Sequence, residues 1–365
     1  MRINNLRQKL KLQNIHLAII VNSTLQDPNF FYFSNISPEN GLLVLPLNSP
    51  VRLYCSTLEC GQLKKRSKIK NFYDYDKKTF EKINNLIRKQ KIRKIGLNFS
   101  SITVNELKRL KKLFGKGSKE LKFVDISDLL RQSRAVKTKE EIKLYSIACN
   151  ITEQIWDNTL DKIKKKRLKT ELHIKDYMEN QMKKKHLAPS FPIIVASGRN
   201  ASIPHYSPQD KKLARGFCVV DFGIKYNGYC TDITRTVFLG KPTDKERKYY
   251  SYIYNLVYNA KEHAASLIGL GKKTSLVAKK TSSFLGNYEK YFTHGLGHGI
   301  GLEIHELPNL KLKAKGSFMS RMIFTIEPGV YIKNKLGIRI EDDYLLENNK
   351  LISLTNAPKE LVIIP

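Results

Sequence analysis

The chain has 365 residues, 41% of them hydrophobic, and carries 65 Lys and Arg against 33 Asp and Glu, which gives a formal net charge of +32. This length predicts two domains, and no run approaches the roughly 18 apolar residues that a membrane span needs. The composition therefore excludes a membrane-spanning protein and leaves enough apolar residues for packed cores.

The positive charge invites a nucleic-acid function, but lysines occur in nearly every segment rather than in one tail or one motif. The sequence has no recognition-helix, zinc-finger or RNA-binding signature. We interpret the charge as a general compositional bias. We expect no specific nucleic-acid partner, with weak, salt-sensitive attraction to polyanions as a side effect.

The expected compartment follows from the N-terminus and the cysteines. The first twenty residues are basic, but their apolar run is too short for a secretory signal. The five cysteines are an odd number without CxxC spacing, which fits reduced thiols better than a disulfide framework. We therefore expect a cytoplasmic protein.

The first third of the chain alternates short apolar runs with amphipathic basic segments, which indicates an α/β layer. Helices are predicted over residues 4–13, 78–90 and 103–114, and strands over 17–21, 41–45, 51–55, 94–97 and 121–124. Thr103 and Glu106 have capping-box spacing. Because its polar residues form no convincing catalytic set, we expect a substrate-limiting or assembly domain over residues 1–130, with residues 125–135 as the connection.

The second domain, residues 131–365, is predicted to open with a long helix. Thr138 is a good N-cap, Glu141 follows at capping-box spacing, and apolar residues then recur at helical spacing as far as Leu160. Further helices are predicted over 170–184, 243–270 and 275–285, and a strand over 191–196. A loop with His205 follows that strand.

Residues 217–240 predict a β-hairpin. Two runs rich in β-branched and aromatic residues flank Asn227-Gly228, the pair that most readily forms a tight two-residue turn. With these two residues as the loop, Tyr226 pairs with Tyr229. The register of the whole hairpin follows from that pair.

Each strand of this hairpin carries one aspartate. Counting outward from the turn puts Asp221 opposite Thr234 and Gly223 opposite Asp232, so both aspartates project from the same face as diagonal neighbours. Two buried like charges would be costly, and a cation between them removes that cost. The alternative is a polar face turned to solvent. We expect Gly223 to leave open the space into which the Asp232 carboxylate reaches.

A second pair of acids lies near the C-terminus. Residues 322–327 and 337–341 are apolar strands that end in Glu327 and Glu341, with a polar break at 333–335. With that break as the loop, the two glutamates lie directly opposite each other. The register stays open, because a proline directly follows the first glutamate.

Between the two hairpins lies the segment HGLGHGIGLEIHE, with three histidines within twelve residues: His294, His298 and His305. Its glycines do not have the spacing of a dinucleotide fingerprint, and HExxH is absent. Helical spacing would align the histidines, but alternate glycines make a helix costly. A loop or irregular strand that brings imidazoles close to a ligand is favoured over three structural histidines.

Four carboxylates and one imidazole form an oxygen-rich site with room for two ions. Such a donor set suits Mn²⁺, Co²⁺, Fe²⁺ or Zn²⁺ better than a thiolate zinc site would. Two ions that share a hydroxide can polarise a carbonyl, as in an aminopeptidase or another amide hydrolase. Additional histidines would then hold the scissile carbonyl oxygen or the tetrahedral intermediate.

The motif series DFG…YCTDITRTVF, HGLGHGIGLEIHE, FTIEPGVYI and GIRIEDD resembles that of the pita-bread metallopeptidases. Within that family it is most similar to the proline-specific branch, Xaa-Pro dipeptidase (prolidase) and Xaa-Pro aminopeptidase. The motifs cover residues 191–343, and the N-terminal domain extends the resemblance over nearly the whole chain. The resemblance implies an α/β (α+β) fold, with a creatinase-like N-terminal α/β domain followed by a pita-bread catalytic domain.

The resemblance also implies a role for each residue of the site. The five metal ligands would be Asp221, Asp232, His298, Glu327 and Glu341. Asp232 and Glu341 would bridge the two ions, of which Mn²⁺ is the first expectation. Glu327 would in addition shuttle a proton.

Catalytic roles are implied for three further histidines and one arginine. His305 would steady the tetrahedral intermediate, and His294 and His205 would line the substrate site. Arg339 would orient a ligand or contact the substrate, and it favours the proline-specific branch over methionine aminopeptidase.

The activity implied is hydrolysis of the Xaa-Pro bond by a metal-bridging hydroxide. Its substrates would be X-Pro dipeptides or peptides with proline at the second position, and the family leads us to expect a homodimer. Two alternatives remain: a non-hydrolytic basic binding protein on the same fold, and a methionine aminopeptidase.

Overall fold

The computed structural model describes residues 2–115 and 121–365. The chain divides into two compact units, of which the first ends at Arg134 and the second begins at Ala135. Among the described residues, none of the helices is both long and apolar enough to span a membrane.

The first unit is a mixed sheet with helices. Its helices are α1 (Arg2–Leu12), α2 (Pro28–Ser34), α3 (Thr57–Lys64), α4 (Thr79–Lys89), α5 (Val104–Gly115) and α6 (Ser127–Ala135), the last of which ends at the boundary. Its strands are β1 (Leu17–Asn22), β2 (Gly41–Pro46), β3 (Arg52–Cys55), β4 (Asn71–Asp74), β5 (Lys94–Leu97) and β6 (Lys122–Asp125). The strand order is β4-β3-β2-β1-β5-β6.

The core of this unit forms where α4 and α5 pack on the sheet. Ile83 of α4 and Leu110 and Phe114 of α5 join apolar residues of β1, β2 and β5 in one buried cluster. The side chains of Thr103 and Glu106 cap each other's backbone N–H at the start of α5, so the predicted capping box is confirmed.

The structure contains short elements that the sequence pattern did not predict. The segment of residues 125–135, expected to be a plain connection, forms α6 instead. The Asp125 carboxylate accepts the Ser127 N–H at 2.9 Å, which supplies an N-terminal cap, and Leu129 and Leu130 are buried. Helices α2 and α3 and strand β4 were also missed, because each is too short to show a period.

The second unit is rich in strands. Its helices are α7 (Lys139–Lys164), α8 (Glu171–Lys184), α9 (Asp244–Leu267) and α10 (Thr274–Phe284), with 3₁₀ turns at Gly198–Ser202 and Gly286–Tyr291. Its first strands are β7 (Ala188–Pro189), β8 (Ile194–Ser197), β9 (Gly216–Phe222), β10 (Ile224–Tyr226), β11 (Tyr229–Cys230) and β12 (Ile233–Leu239). The later ones are β13 (Gly297–Gly299), β14 (Glu306–Leu310), β15 (Met322–Ile326), β16 (Gly329–Ile332), β17 (Leu336–Arg339), β18 (Asp342–Glu347), β19 (Lys350–Ser353) and β20 (Ile363–Ile364).

Two sheets carry the residues of interest. One has the order β20-β12-β9-β8 and the other the order β14-β13-β15-β18-β19. Helices α7 and α8 bury apolar residues against the first sheet, and α9 and α10 against the second. Thr138 and Glu141 form the predicted capping box at the start of α7.

The first acid-bearing hairpin has the predicted register. Tyr226 pairs with Tyr229, and Asn227 and Gly228 have φ angles of 48° and 87°, as a turn of this type requires. Asp221 lies opposite Thr234. The hairpin geometry worked out from the sequence is therefore confirmed.

Gly223 has a different role from the one expected. A Cβ added there would lie 1.7 Å from the Thr231 carbonyl oxygen and 2.4 Å from Ser190 Oγ. The glycine therefore allows two backbone segments to approach each other closely. It does not open space for the Asp232 carboxylate.

The second acid-bearing hairpin is a long ladder with one interruption. Beyond the interruption Gly329 pairs with Arg339, and before it Ile326 pairs with Asp342. Counting inward from these two pairs puts Glu327 opposite Glu341, as predicted. Proline cannot donate to the ladder, so regular pairing stops at Pro328 and the two glutamates lie at the break.

The glycine- and histidine-rich segment is an irregular strand, as predicted. Gly297–Gly299 forms β13 between β14 and β15. A Cβ on Gly297 would lie 2.1 Å from the Thr325 carbonyl oxygen, and one on Gly299 would lie 2.0 Å from that of Leu307. These glycines are required because neighbouring backbone passes so close.

Candidate metal centre

The two acid-bearing hairpins meet at Thr234 and Glu341. These residues form an isolated antiparallel bridge, in which the Glu341 N–H donates to the Thr234 carbonyl at 3.1 Å. The bridge brings the face with Asp221 and Asp232 against the end of the second hairpin. Ligand atoms of Asp232, His298 and Glu341 all lie within 4.8 Å of one another.

His298 is presented to the acids by β13. Its Nε2 lies 3.6 Å from Asp232 Oδ2 and 3.6 Å from Glu327 Oε1. Its Nδ1 lies 3.1 Å from the Gly299 carbonyl oxygen. Because a carbonyl oxygen only accepts, Nδ1 carries the proton and Nε2 keeps a lone pair that faces the carboxylates.

Three carboxylate oxygens in this cluster are buried and have no hydrogen-bond partner among the residues described: Asp221 Oδ1, Asp232 Oδ1 and Glu341 Oε1. The second oxygens of Asp221 and Glu341 are held by Arg339 and Thr234 at 2.6 and 2.7 Å. Buried polar atoms are normally paired. Unpaired anionic oxygens that converge beside an imidazole fit divalent cations, which prefer such donors.

The electrostatics of the cluster point the same way. Burial, and then the charge of Glu341, raise the pKa of Asp232 well above its ordinary value. Burial and then Glu327 do the same to the pKa of Glu341, and burial raises the pKa of Glu327 to about 8. Burial, and then His305, lower the pKa of His298 to about 3. The protein alone therefore disfavours the ionised acids, and added positive charge would restore them.

Arg339 is a buried orienting group beside these acids. Its Nη2 donates to Asp221 Oδ2 at 2.6 Å, its Nη1 to the Tyr331 hydroxyl at 2.6 Å and its Nε to Thr234 Oγ1 at 3.0 Å. Of the two roles considered for Arg339, this geometry supports orientation of a ligand. The guanidinium fixes one Asp221 oxygen and leaves the other unpaired.

Tyr331 is the residue of this cluster that sequence reasoning missed. Its hydroxyl lies between Arg339 Nη1 and His294 Nε2, the latter at 2.9 Å. Strand alternation could have found it, because Glu327, Gly329 and Tyr331 share one face. A Cβ on Gly329 would lie 2.6 Å from the Tyr331 hydroxyl, so the glycine makes room for this ring.

The structure brings two of the three predicted substrate-site histidines against the candidate ligands. His294 Nδ1 lies 3.7 Å from Glu327 Oε2, and burial followed by Arg339 lowers the His294 pKa to about 3. The His305 ring lies 4.4 Å from the His298 ring at 76°. His205 is exposed on a turn, and the preceding Pro204 accepts a hydrogen bond from Arg339 at 3.4 Å.

Comparisons with known proteins cover both units. The profile of Metallopeptidase family M24 matches residues 143–348, and that of the Creatinase/Prolidase N-terminal domain matches residues 2–136. The chain is 33% identical over 339 residues to an Xaa-Pro dipeptidase of Pyrococcus furiosus, covering 92% of each protein.

Solved structures resemble the chain over nearly its whole length. The prolidase of Pyrococcus horikoshii superposes with a TM-score of 0.86 at 28% identity, with 99% of each chain covered. The X-Pro aminopeptidase of Thermotoga maritima gives a TM-score of 0.85 at 29% identity, with 98% of this chain and 100% of the other covered.

Proposed function

The chain belongs to metallopeptidase family M24, and on that premise we propose that it is a metallo-exopeptidase that hydrolyses the bond between a first residue and proline. Its substrates are X-Pro dipeptides or peptides with proline at the second position, in keeping with the Xaa-Pro dipeptidases it resembles. The observation that carries the proposal is the convergence of unpaired, buried carboxylate oxygens from both hairpins. The catalytic domain is assigned to residues 131–365 and the creatinase-like domain to residues 1–130.

The residues that would hold two divalent ions are Asp221, Asp232, His298, Glu327 and Glu341. Manganese is the proposed native metal, with Co²⁺, Fe²⁺ and Zn²⁺ as alternatives. When bound, the ions would act as Lewis acids on the scissile carbonyl and lower the pKa of the attacking water.

Glu327 is the proposed proton carrier. An Xaa-Pro bond is a tertiary amide, so the proline nitrogen leaves as an amine only if it gains a proton. Glu327 lies in the middle of the cluster, between His298 at 3.6 Å and His294 at 3.7 Å. From that position its carboxylate can take a proton from the attacking water and return it to the leaving nitrogen.

The remaining residues would hold the substrate and the ligands. His305 would donate to the oxygen of the tetrahedral intermediate, while His294 and His205 would line the substrate site. Arg339 and Tyr331 would orient Asp221 and His294 through the hydrogen bonds described above. Mutation of a residue that hydrogen-bonds to a metal ligand typically lowers metal affinity or activity by about 10–100-fold.

The test is hydrolysis of Ala-Pro, Ala-Pro-Ala and Ala-Ala by protein loaded with Mn²⁺ or Co²⁺. We expect release of alanine from a proline-containing substrate, little from Ala-Ala, and loss of activity on chelation. Metal-loaded protein that cleaves neither proline-containing substrate would overturn the proposal. Metal-free protein that still binds nucleic acid would favour the non-hydrolytic alternative, and preference for a Met-Ala peptide would favour a methionine aminopeptidase.

The proposed setting is the cytoplasm, and the proposed assembly is a homodimer. Light scattering on the eluting protein at two concentrations tests the dimer. A mass of 42.1 kDa, that of one chain, at both concentrations would rule it out.

A further inference from the structure

A cavity of about 330 Å³ lies in the first unit and is lined by residues of that unit. Its wall includes the residues that end β1 and follow β3, together with the start of β2. Open α/β sheets commonly bind ligands at the carboxyl ends of strands, and this volume is at the lower end of the range for small-ligand pockets.

One positive and one negative side chain face this cavity from α5, one turn apart: Arg109 and Glu106. Arg109 is exposed and lies over the Phe80 ring, with its guanidinium carbon 5.9 Å from the ring centroid. Across the part of the chain that the structure describes, no carboxylate forms an ion pair with Arg109. Its charge is therefore available to a ligand.

The Glu106 carboxylate is fixed in place. It accepts hydrogen bonds from the Thr103 N–H at 2.8 Å and the Thr103 hydroxyl at 2.9 Å, and from Ser23. Burial alone would raise the pKa of Glu106, but these hydrogen bonds, together with the nearby charge of Arg109, outweigh it and hold the pKa below its ordinary value. An ionised carboxylate thus faces the cavity.

The other walls supply polar and apolar groups. Within residues 2–115 and 121–365 the Tyr75 hydroxyl and the Asn40 carboxamide make no hydrogen bond, and both line the cavity. Leu42, Phe80 and Leu110 give it an apolar side. One cation and one anion make the lining neutral overall, which suits a ligand carrying both charges and disfavours a phosphate group.

We propose that this cavity is a second ligand site, which binds a zwitterionic amino acid or short peptide with an apolar side chain. Arg109 and Tyr75 bind its carboxylate, Glu106 accepts from its ammonium, and its side chain packs on Phe80 and Leu110. The site is separate in sequence from the candidate metal centre and does not depend on the proposed peptidase activity.

Isothermal titration of the full-length protein tests the site. The ligands are L-leucine, L-phenylalanine and L-proline, with N-acetyl-L-leucine lacking the ammonium and L-leucinamide lacking the carboxylate. We expect saturable binding of at least one amino acid and weaker binding of both leucine derivatives. Absence of saturable binding by all three amino acids up to millimolar concentration would overturn the proposal, as would binding of acetate as tight as that of leucine.

Two variants distinguish this cavity from the metal centre. Arg109→Met should weaken amino-acid binding by about 10–100-fold, the usual range for a charged hydrogen bond, and leave Ala-Pro hydrolysis unchanged. Arg88→Met, at an exposed arginine on α4, is the matched control and should bind like the wild type. Unchanged affinity in Arg109→Met would refute the assignment.

Glu106→Gln tests the second charge. Glutamine can still form the capping box, so α5 is retained while the negative charge is lost. We expect weaker binding of leucine and no change for N-acetyl-L-leucine, which has no ammonium. An equal loss for both ligands would contradict the role given to Glu106.

Discussion

Glu341 and Asp342 are neighbours in sequence and both fully buried, yet their carboxylates lie in opposite electrostatic surroundings. Asp342 is 2.6 Å from Arg235, 2.8 Å from Lys261 and 3.6 Å from Lys359. Burial alone would raise the Asp342 pKa, but these cations outweigh it and the pKa is lowered. This carboxylate is neutralised by the protein itself.

Glu341 has acids where Asp342 has cations. After burial, the charges of Glu327 and Asp221 raise its pKa, against the opposing effect of Arg339. The chain thus provides its own cations for the carboxylate of Asp342. It provides too few for the cluster around Glu341, one residue earlier. The difference supports an external cation at that cluster and a purely structural role for Asp342.

The largest expected effect is the loss of activity when a carboxylate of the cluster around Glu341 is replaced. Asp232→Asn should lower kcat/KM for Ala-Pro at saturating Mn²⁺ by more than about 1000-fold, beyond the 10–100-fold typical of partners behind a ligand. The metal-free variant should be no less stable than the wild type, because burial and the neighbouring acids already disfavour the ionised form of Asp232 and asparagine is neutral. Activity within tenfold of the wild type would contradict the role given to the cluster around Glu341.

The next largest effect is on the stability of the protein, and it concerns Asp342. Asp342→Asn leaves Lys261 and Arg235 buried without their carboxylate, so we expect the free energy of unfolding to fall by about 3–5 kcal/mol. Asp343→Asn is the matched control. Asp343 forms no ion pair with any residue that the structure describes, and burial raises its pKa well above the ordinary value, so its replacement leaves no buried cation unpaired and should cost about 1 kcal/mol or less. Urea unfolding of both variants measures the difference, and equal losses would argue against it.

Replacing Arg339, which contacts Asp221, and Arg235, which contacts Asp342, should separate metal binding from stability. Arg339→Lys cannot keep three fork-like hydrogen bonds to Asp221, Tyr331 and Thr234, so Mn²⁺ affinity should fall by about 10–100-fold. Arg235→Lys should lower stability and leave Mn²⁺ affinity within about threefold. Calorimetric titration with Mn²⁺ and urea unfolding measure both quantities, and the reverse pattern would contradict the assignment.

The smallest expected effect is a pH dependence of the metal-free protein. Burial raises the Glu327 pKa from 4.5 to about 8. The stabilisation that the protonated side chain gives is therefore complete below pH 4.5 and is lost as the pH rises through 8. Burial lowers the pKa values of His294 and His298 to about 3. The stabilisation that their neutral rings give is therefore fully present above pH 6.5. Between pH 6.5 and 8 the contributions of the two histidines no longer change, whereas Asp232 and Glu341, whose pKa values are also raised, add to the fall caused by Glu327.

We therefore expect the free energy of unfolding of metal-free protein to fall from pH 6.5 to pH 8 by at least the contribution of Glu327 alone, which is about 1–2 kcal/mol. Bound Mn²⁺ should remove this fall, because the acids are then compensated. Urea unfolding at four pH values measures it, with Glu327→Gln as the control that should show a flatter profile. Rising stability over this window would contradict the assigned pKa shift.

The sequence was sufficient where a local rule applied. The Asn227-Gly228 turn set the register of the first hairpin, and the polar break at residues 333–335 set that of the second. Motif resemblance added the donor residues, which the structure brings together. Fold class and family are confirmed by the matched profiles.

What the sequence could not provide were contacts between distant segments. The bridge from Thr234 to Glu341 and the contacts of Asp342 with Arg235 and Lys261 join residues about 80–110 positions apart, and no local period encodes them. The same holds for Gly223, whose neighbour Ser190 comes from another strand connection. Helix α6 was missed for a different reason, since its polar sequence hides the two leucines that it buries.

The bridge between Thr234 and Glu341 also sets an order of events during synthesis. The candidate ligands extend from Asp221 to Glu341, about 120 residues, which a ribosome adds in roughly 6–24 s. Until Glu341 emerges, the first hairpin has its two aspartates without the strand end that completes the donor set. Binding of an ion by the complete proposed donor set would therefore be a late step in synthesis, because it requires the chain to have been made at least as far as Glu341.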